Sequence, residues 1–200
     1  NGVETACDDV SGAILDPSLV HEARGTEIAY FKGMGVYERV PRAEQLETKG
    51  KIIGTKGIDT NKGDLANPKI RSRLVGKELR TGPNDVLCAS TPPLEALRLT
   101  VSRAATYTDG ELTNEVMVND VSRAYFYAKC SRCLYVELPR EDFEYHPDYF
   151  GRLRLCLYRT RDAALCWQQT LAEHLIENGF TRGVGHPPVF FHHLDPRPRR

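Results

Sequence analysis

The sequence predicts an α+β fold, and three observations carry that expectation. Apolar residues recur at helical spacing in three separate stretches, after residue 16, after residue 90 and after residue 163. Between them lie short runs of β-branched and aromatic residues bounded by Gly, Pro, Asn and Asp. Over 200 residues the apolar fraction is 40% and the charged fraction 27%, which supports a buried core and argues against disorder throughout.

Residues 1–15 are small, polar and acidic and read as a loose lead-in. Asp16 followed by Pro17 is an N-cap and first-position pair, so a helix starts there; Leu19, Ala23, Ile28 and Phe31 form its apolar face, and Gly33 and Gly35 stop it. Residues 50–58 and 69–77 read as strands joined by a turn at Asn61-Lys62-Gly63-Asp64. On the second strand Arg71, Arg73 and Val75 share one face, with Ile70, Ser72 and Leu74 on the other.

Ser90 or Thr91 is the expected cap of a second helix, with Pro92 and Pro93 in its first turn and Leu94, Leu97, Val101, Ala104 and Ala105 at helical spacing. Asp109-Gly110 ends it. Val116, Val118 and Asp120 then alternate on one face of a short strand, which puts a carboxylate at its tip. A further strand spans 133–138, and an acidic, proline-bounded loop follows around 141–148. An apolar stretch at 153–158 leads into a third helix with Trp167, Leu171 and Leu175 at i, i+4, i+8 and a cap at Asn178-Gly179. Residues 194–200 are read as a disordered tail.

No stretch approaches the ~20 apolar residues that cross a bilayer, and residues 1–4 show no secretory leader. The absence of an initiating Met suggests a fragment. Six cysteines in a chain of this length read as reduced thiols, so the expected location is intracellular, cytoplasmic or nuclear, and not secreted. Cys130-Ser131-Arg132-Cys133 stands without a second pair, and zinc binding with His146 or His192-His193 is the weaker reading. Phosphate-loop, nucleophile-elbow and His-Glu-x-x-His motifs are absent.

Lys plus Arg and Asp plus Glu are both 27, giving a net charge of zero. The zero is a cancellation of blocks. Residues 1–48 carry −5, 49–80 carry +6, 81–150 carry −5 and 151–200 carry +4. Clustered cations bind phosphates whatever the total charge, although a solvated basic face gives the same count.

Asp120-Val121-Ser122-Arg123-Ala124-Tyr125-Phe126, a carboxylate followed by an aromatic pair, resembles the first catalytic motif of reverse transcriptases. The surrounding order resembles the Ty1/copia class of retrotransposon polymerases. The segment Gly35-Val36-Tyr37-Glu38-Arg39-Val40-Pro41 looks like that family's entry segment, with Tyr37 where Trp is usual. Ile70-Arg71-Ser72-Arg73-Leu74-Val75 is similar to its basic fingers strand. Thr91-Pro92-Pro93 through Leu99 resembles the helix before the catalytic strand. The run from Leu155 to Ala164, then Trp167, resembles its next pocket motif, and Asn178-Gly179-Phe180 closes the match. Six motifs in collinear order over about 16–193 weigh more than any one of them.

The resemblance implies a fingers subdomain over about 16–110 and an incomplete palm over about 111–193. It implies an RNA-directed DNA polymerase that joins nucleotides by two-metal transfer, with Mg²⁺ held by Asp120 and the Val121 carbonyl. Arg71 and Arg73 would meet triphosphate or template phosphates, in a register left open. Tyr125 would lie under the incoming sugar, and Asp162 would sit in the nucleotide pocket. Partners implied are an RNA or DNA primer–template, a dNTP and the rest of a Pol polyprotein. No membrane partner is expected.

Three positions depart from the family pattern. Arg159 stands where Gly is usual, Asp162 where Gln is usual, and Arg123 where a small or amide residue is common. No Asp-Asp pair follows Asp120, so the domain reads as truncated before its second catalytic motif and inactive by itself. The rival expectation is a non-catalytic nucleic-acid-binding relic or interaction module of retroelement origin.

Overall fold

The computed structural model describes residues 6–79, 89–108, 111–112, 115–142 and 144–192. Among the described residues the fold is α+β, a mixed five-stranded sheet and two small two-stranded sheets with four α-helices.

Helix α1 (Pro17–Met34) begins where local chemistry places it. The Asp16 carboxylate accepts from the Ser18 and Leu19 amides at 2.7 and 3.3 Å, and Pro17 loses no bond at the first position. Gly35, at φ 64°, ends the helix: its amide donates to the Lys32 carbonyl and that of Val36 to Phe31. The inward face carries Val20, Ile28 and Phe31, and also Glu27.

Strand β1 (Tyr37–Pro41) leads into a short helix α2 (Arg42–Thr48), which the sequence pattern does not signal. β2 (Lys51–Asn61) and β3 (Ile70–Lys77) form the expected antiparallel hairpin, with Ile58 opposite Arg73 and Thr60 opposite Arg71. Helix α3 (Leu94–Ala104) starts two residues later than expected, with Pro93 at the cap position and no side-chain cap. Each proline disfavours the helical conformation of its predecessor, so Thr91 and Pro92 stay outside the helix, and Pro93 at the cap is extended. The helix buries none of its residues, and Leu94, Leu97 and Val101 are all more than half exposed. β4 (Tyr107–Thr108) and β5 (Glu111–Leu112) pair antiparallel, whereas Asp109-Gly110, the expected end of the helix, lies outside the described residues.

The strand expected at Val116, Val118 and Asp120 does not form; 115–121 has no regular structure, and Val118 is 89% exposed. A strand has no hydrogen bonds of its own, and no described strand lies beside this segment. The 3₁₀ turn Ala124–Tyr127 follows.

β6 (Leu134–Glu137) pairs parallel with β2 and antiparallel with β7 (Tyr149–Leu153), which pairs antiparallel with β1. The order is β1-β7-β6-β2-β3, so the sheet takes strands from both sides of residue 110. Helix α1 packs on β3. The apolar stretch at 153–158 differs from a simple strand: β7 ends at Leu153, Leu155 makes a single bridge to Lys129, and a turn begins at Tyr158.

Helix α4 (Ala163–Glu177) buries Ala163 and Ala172, with Trp167 packed against Ala128 and Cys156. Gly179, at φ 86°, ends it, and the hairpin β8 (Phe180–Arg182) and β9 (Phe190–His192) follows. The tail 194–200 lies outside the described residues. The main core joins Ile28, Phe31 and Val36 to Ile53, Leu74, Phe126, Val136 and Leu157. Phe126 is fully buried, edge-on to Phe31 at 4.7 Å.

Candidate nucleotide-facing site

The 3₁₀ turn divides two adjacent aromatics between different tasks. Phe126 enters the core, whereas Tyr125 stays half-buried and stacks obliquely on Tyr158 at 4.9 Å. The turn is set by Arg123, whose φ of 52° lies in the left-handed region. That geometry carries the Arg123 guanidinium over the Tyr30 ring at 3.8 Å and to Glu27, where Nη2 donates to Oε2 at 2.9 Å. Burial works against the Arg123 charge, and the Glu27 carboxylate more than offsets it, so its pKa is raised.

From the sheet, the Arg73 guanidinium stands 5.8 Å from the Tyr158 ring. Burial pushes the Tyr158 hydroxyl up, against the opposing influence of Arg73. Arg71 is exposed on the same strand and shares a pocket with Glu27 and Arg123. The structure thus gathers Arg73 and Tyr125 around Tyr158 and places Arg71 beside Arg123. Asp120 and Val121 are both exposed on the loop before the turn. The Asp120 carboxylate makes no hydrogen bond or ion pair among the described residues.

Asp162 is elsewhere. It is 2% exposed, and its carboxylate accepts from Arg132 Nη2 at 2.5 Å and from Ser131 Oγ at 2.8 Å. Arg132 also grips both oxygens of Glu78, at 2.8 and 2.9 Å. Lys51 Nζ at 3.0 Å and the Arg161 amide at 2.9 Å complete the Glu78 shell. Burial alone would raise the Asp162 carboxyl, and Arg132 with Ser131 outweighs it, leaving it lowered. Glu78 is likewise pushed up by burial but held down to about 2 by Arg132, the Arg161 amide and Lys51. This network ties the start of α4 to the end of β3.

Cys130 and Cys133 do not converge. The Cys130 thiol donates to the Arg132 carbonyl at 3.2 Å, while Cys133 is exposed beside Gly50. Among the described residues no three His, Cys, Asp or Glu side chains form a metal-holding group. Mg²⁺ binding for two-metal transfer needs carboxylates from more than one element. The described residues do not supply that set around Asp120.

A larger cleft of about 410 Å³ opens between α1, the β2–β3 hairpin and the segment 137–149. Most of its cations are already engaged. Arg24 pairs with Asp59 and Glu141 at 2.8 and 2.6 Å, Lys56 pairs with Asp9 at 2.6 Å, and Arg42 lies over the Phe150 ring.

Sequence pattern alone does not single out Glu27, Tyr30 or Tyr158. Only Glu27 leaves a readable signal, a charge one residue before Ile28 and seven after Val20, on what becomes the inward face of α1. No protein-family model, curated protein or solved structure matches the chain.

Proposed function

We propose that the chain carries the fingers and part of the palm of a Ty1/copia-type reverse transcriptase, an RNA-directed DNA polymerase by descent. The observation that carries this reading joins sequence to backbone. Two of the three departures from the family pattern, Arg123 and Arg159, have φ of 52° and 63°. Left-handed backbone favours Gly, the residue the family pattern has at Arg159, and Asn among the others, which falls within the small or amide class common at Arg123. Conformations suited to the family's residues, at the positions its motifs specify, support descent from that pattern.

Arg71 and Arg73 are exposed on β3, and Tyr125 with Tyr158 offers an aromatic surface beside Arg73. Cations beside aromatics suit a nucleic-acid strand, whose phosphates need neutralising and whose bases stack. In this reading Asp120 and the Val121 carbonyl are the chain's contribution to Mg²⁺ binding. The Asp162 carboxylate is held by Arg132 and Ser131. The expected setting is intracellular, with primer–template and dNTP as partners; no helix of the described residues is long and apolar enough to cross a membrane.

A second reading, a nucleic-acid-binding relic without catalysis, is favoured by Asp120 lying on an exposed loop with no metal-holding group around it among the described residues. One experiment addresses both. The purified chain is titrated with a labelled RNA–DNA primer–template and then supplied with Mg²⁺ and dNTPs. Binding without extension is expected, and Asp120→Asn should leave binding intact or stronger. Extension would overturn the claim that these 200 residues are inactive alone. Absence of binding at low salt would count against both readings.

A further inference from the structure

Three thiols converge where the segments after the 3₁₀ turn and after β7 meet the start of α4. Cys156 is fully buried with Ala128 and Ala163, and Cys166, on α4, packs against that cluster. The Cys156 and Cys166 thiols lie within hydrogen-bond reach of each other. Cys156 Sγ also donates to the Lys129 carbonyl at 3.4 Å, and Cys166 Sγ to Ser131 Oγ at 3.5 Å and Asp162 Oδ2 at 3.9 Å. The third thiol, Cys130, donates to the Arg132 carbonyl at 3.2 Å and packs against the main core instead. Cys166 is partly exposed and lines a groove of about 600 Å³ with Tyr127, Leu165 and Gln169.

The pair therefore joins one sulfur that a small oxidant can reach to a second that touches it, the arrangement of a sensing thiol beside a resolving one. We propose that Cys166 and Cys156 form a peroxide-reactive thiol pair that closes to an intramolecular disulfide. Cys166 gives up its proton, and its thiolate attacks one peroxide oxygen. The O–O bond breaks, the departing hydroxide takes a proton and leaves as water, and Cys166 becomes a sulfenic acid. The Cys156 sulfur then attacks the Cys166 sulfur. The S–O bond breaks, and the hydroxyl leaves with the Cys156 proton as a second water. Two thiols and one hydrogen peroxide thus give one disulfide and two waters. Burial pushes the Cys156 thiol up, and the neighbouring Cys166 adds to the effect, so Cys156 resolves the intermediate while Cys166 meets the oxidant. A dithiol reductant reverses the bond. The bond fastens the start of α4 to the segment leading to Tyr158, the ring on which Tyr125 stacks. The pair does not depend on nucleic-acid binding.

The test treats the full chain, dilute and fully reduced, with stoichiometric hydrogen peroxide in the presence and absence of dimedone. Remaining thiols are alkylated and a tryptic digest is read by mass spectrometry. Trypsin cuts after Arg159 and Arg161, which puts the two cysteines on separate peptides. The expected product is a Cys156–Cys166 linked peptide, two hydrogens lighter than its parts and lost on adding dithiothreitol. Cys166→Ser should abolish it. Cys156→Ala should abolish it as well and leave Cys166 as a sulfenic acid labelled by dimedone. Cys166→Ser changes a partly exposed position, so the mapping stands even where the buried Cys156→Ala variant fails to fold. A link from Cys130, a bond formed only between chains, or Cys166 left as a free thiol overturns the assignment. Dimedone on Cys166 of the unsubstituted chain, with no disulfide formed, overturns the role of Cys156.

Discussion

Arg123 donates to Glu27 at 2.9 Å while its guanidinium lies 3.8 Å over the Tyr30 ring. One side chain from the turn after Asp120 is thereby fixed to two positions on α1, and the turn that sorts Tyr125 from Phe126 depends on it.

Arg123→Ala should cost about 2 kcal/mol, below the ~3–5 of a fully buried broken pair because Arg123 remains partly open to solvent. Glu27 would be left buried without its one side-chain partner among the described residues. Urea denaturation measures this as a lower midpoint with unchanged slope.

Arg159→Gly should stabilise the chain by about 1 kcal/mol, since the left-handed conformation costs a non-glycine residue about that much. The melting temperature should rise by roughly 2–4 °C. Calorimetry showing no rise would remove the backbone argument at that position.

Phe126→Ala should cost about 3–5 kcal/mol, because it empties a fully buried site against Phe31 and Tyr158. Tyr125→Ala, one residue away and half-buried, should cost clearly less. Comparing the two denaturation midpoints tests the division of labour in the turn.

Acid lability follows from carboxylates whose folded pKa is depressed. Glu78 is lowered from 4.5 to about 2, burial opposing and Arg132, the Arg161 amide and Lys51 prevailing. Asp8 is lowered from 3.8 to about 2 by the Asn61, Ser11 and Val10 amides. A depressed group stabilises fully above its unfolded pKa and loses that contribution as pH falls through the folded one. Stability should therefore hold down to about pH 5 and decline between there and about pH 2. Glu78→Gln should lower stability at pH 7 and flatten that decline, as read from denaturation midpoints across pH.

Where one residue or a local pair dictates backbone geometry, the sequence is legible. Asp16, Pro17 and Gly35 bracket α1 through bonds made within a few residues, and the turn-forming cluster after Asn61 opens the longer loop, residues 62–69, that joins β2 to β3. What depends on distant partners is not. Val116, Val118 and Asp120 alternate as a strand does, but alternation does not reveal whether a partner strand lies beside them, and among the described residues none does. Asp162 resembles a pocket residue by position, yet Arg132, thirty residues earlier, draws its carboxylate inward. Glu27 and Arg123 are 96 apart in sequence, so that pair leaves only a charge on an apolar face.

The central claim, that β3 presents cations to a nucleic-acid strand, is tested most directly by the salt dependence of primer–template binding. The slope of log K against log salt should be negative. It should shallow by about 0.7–0.9 for each phosphate that Arg71→Ala or Arg73→Ala leaves unneutralised. No measurable binding at about 50 mM salt, or a slope unchanged by the double substitution, would contradict it.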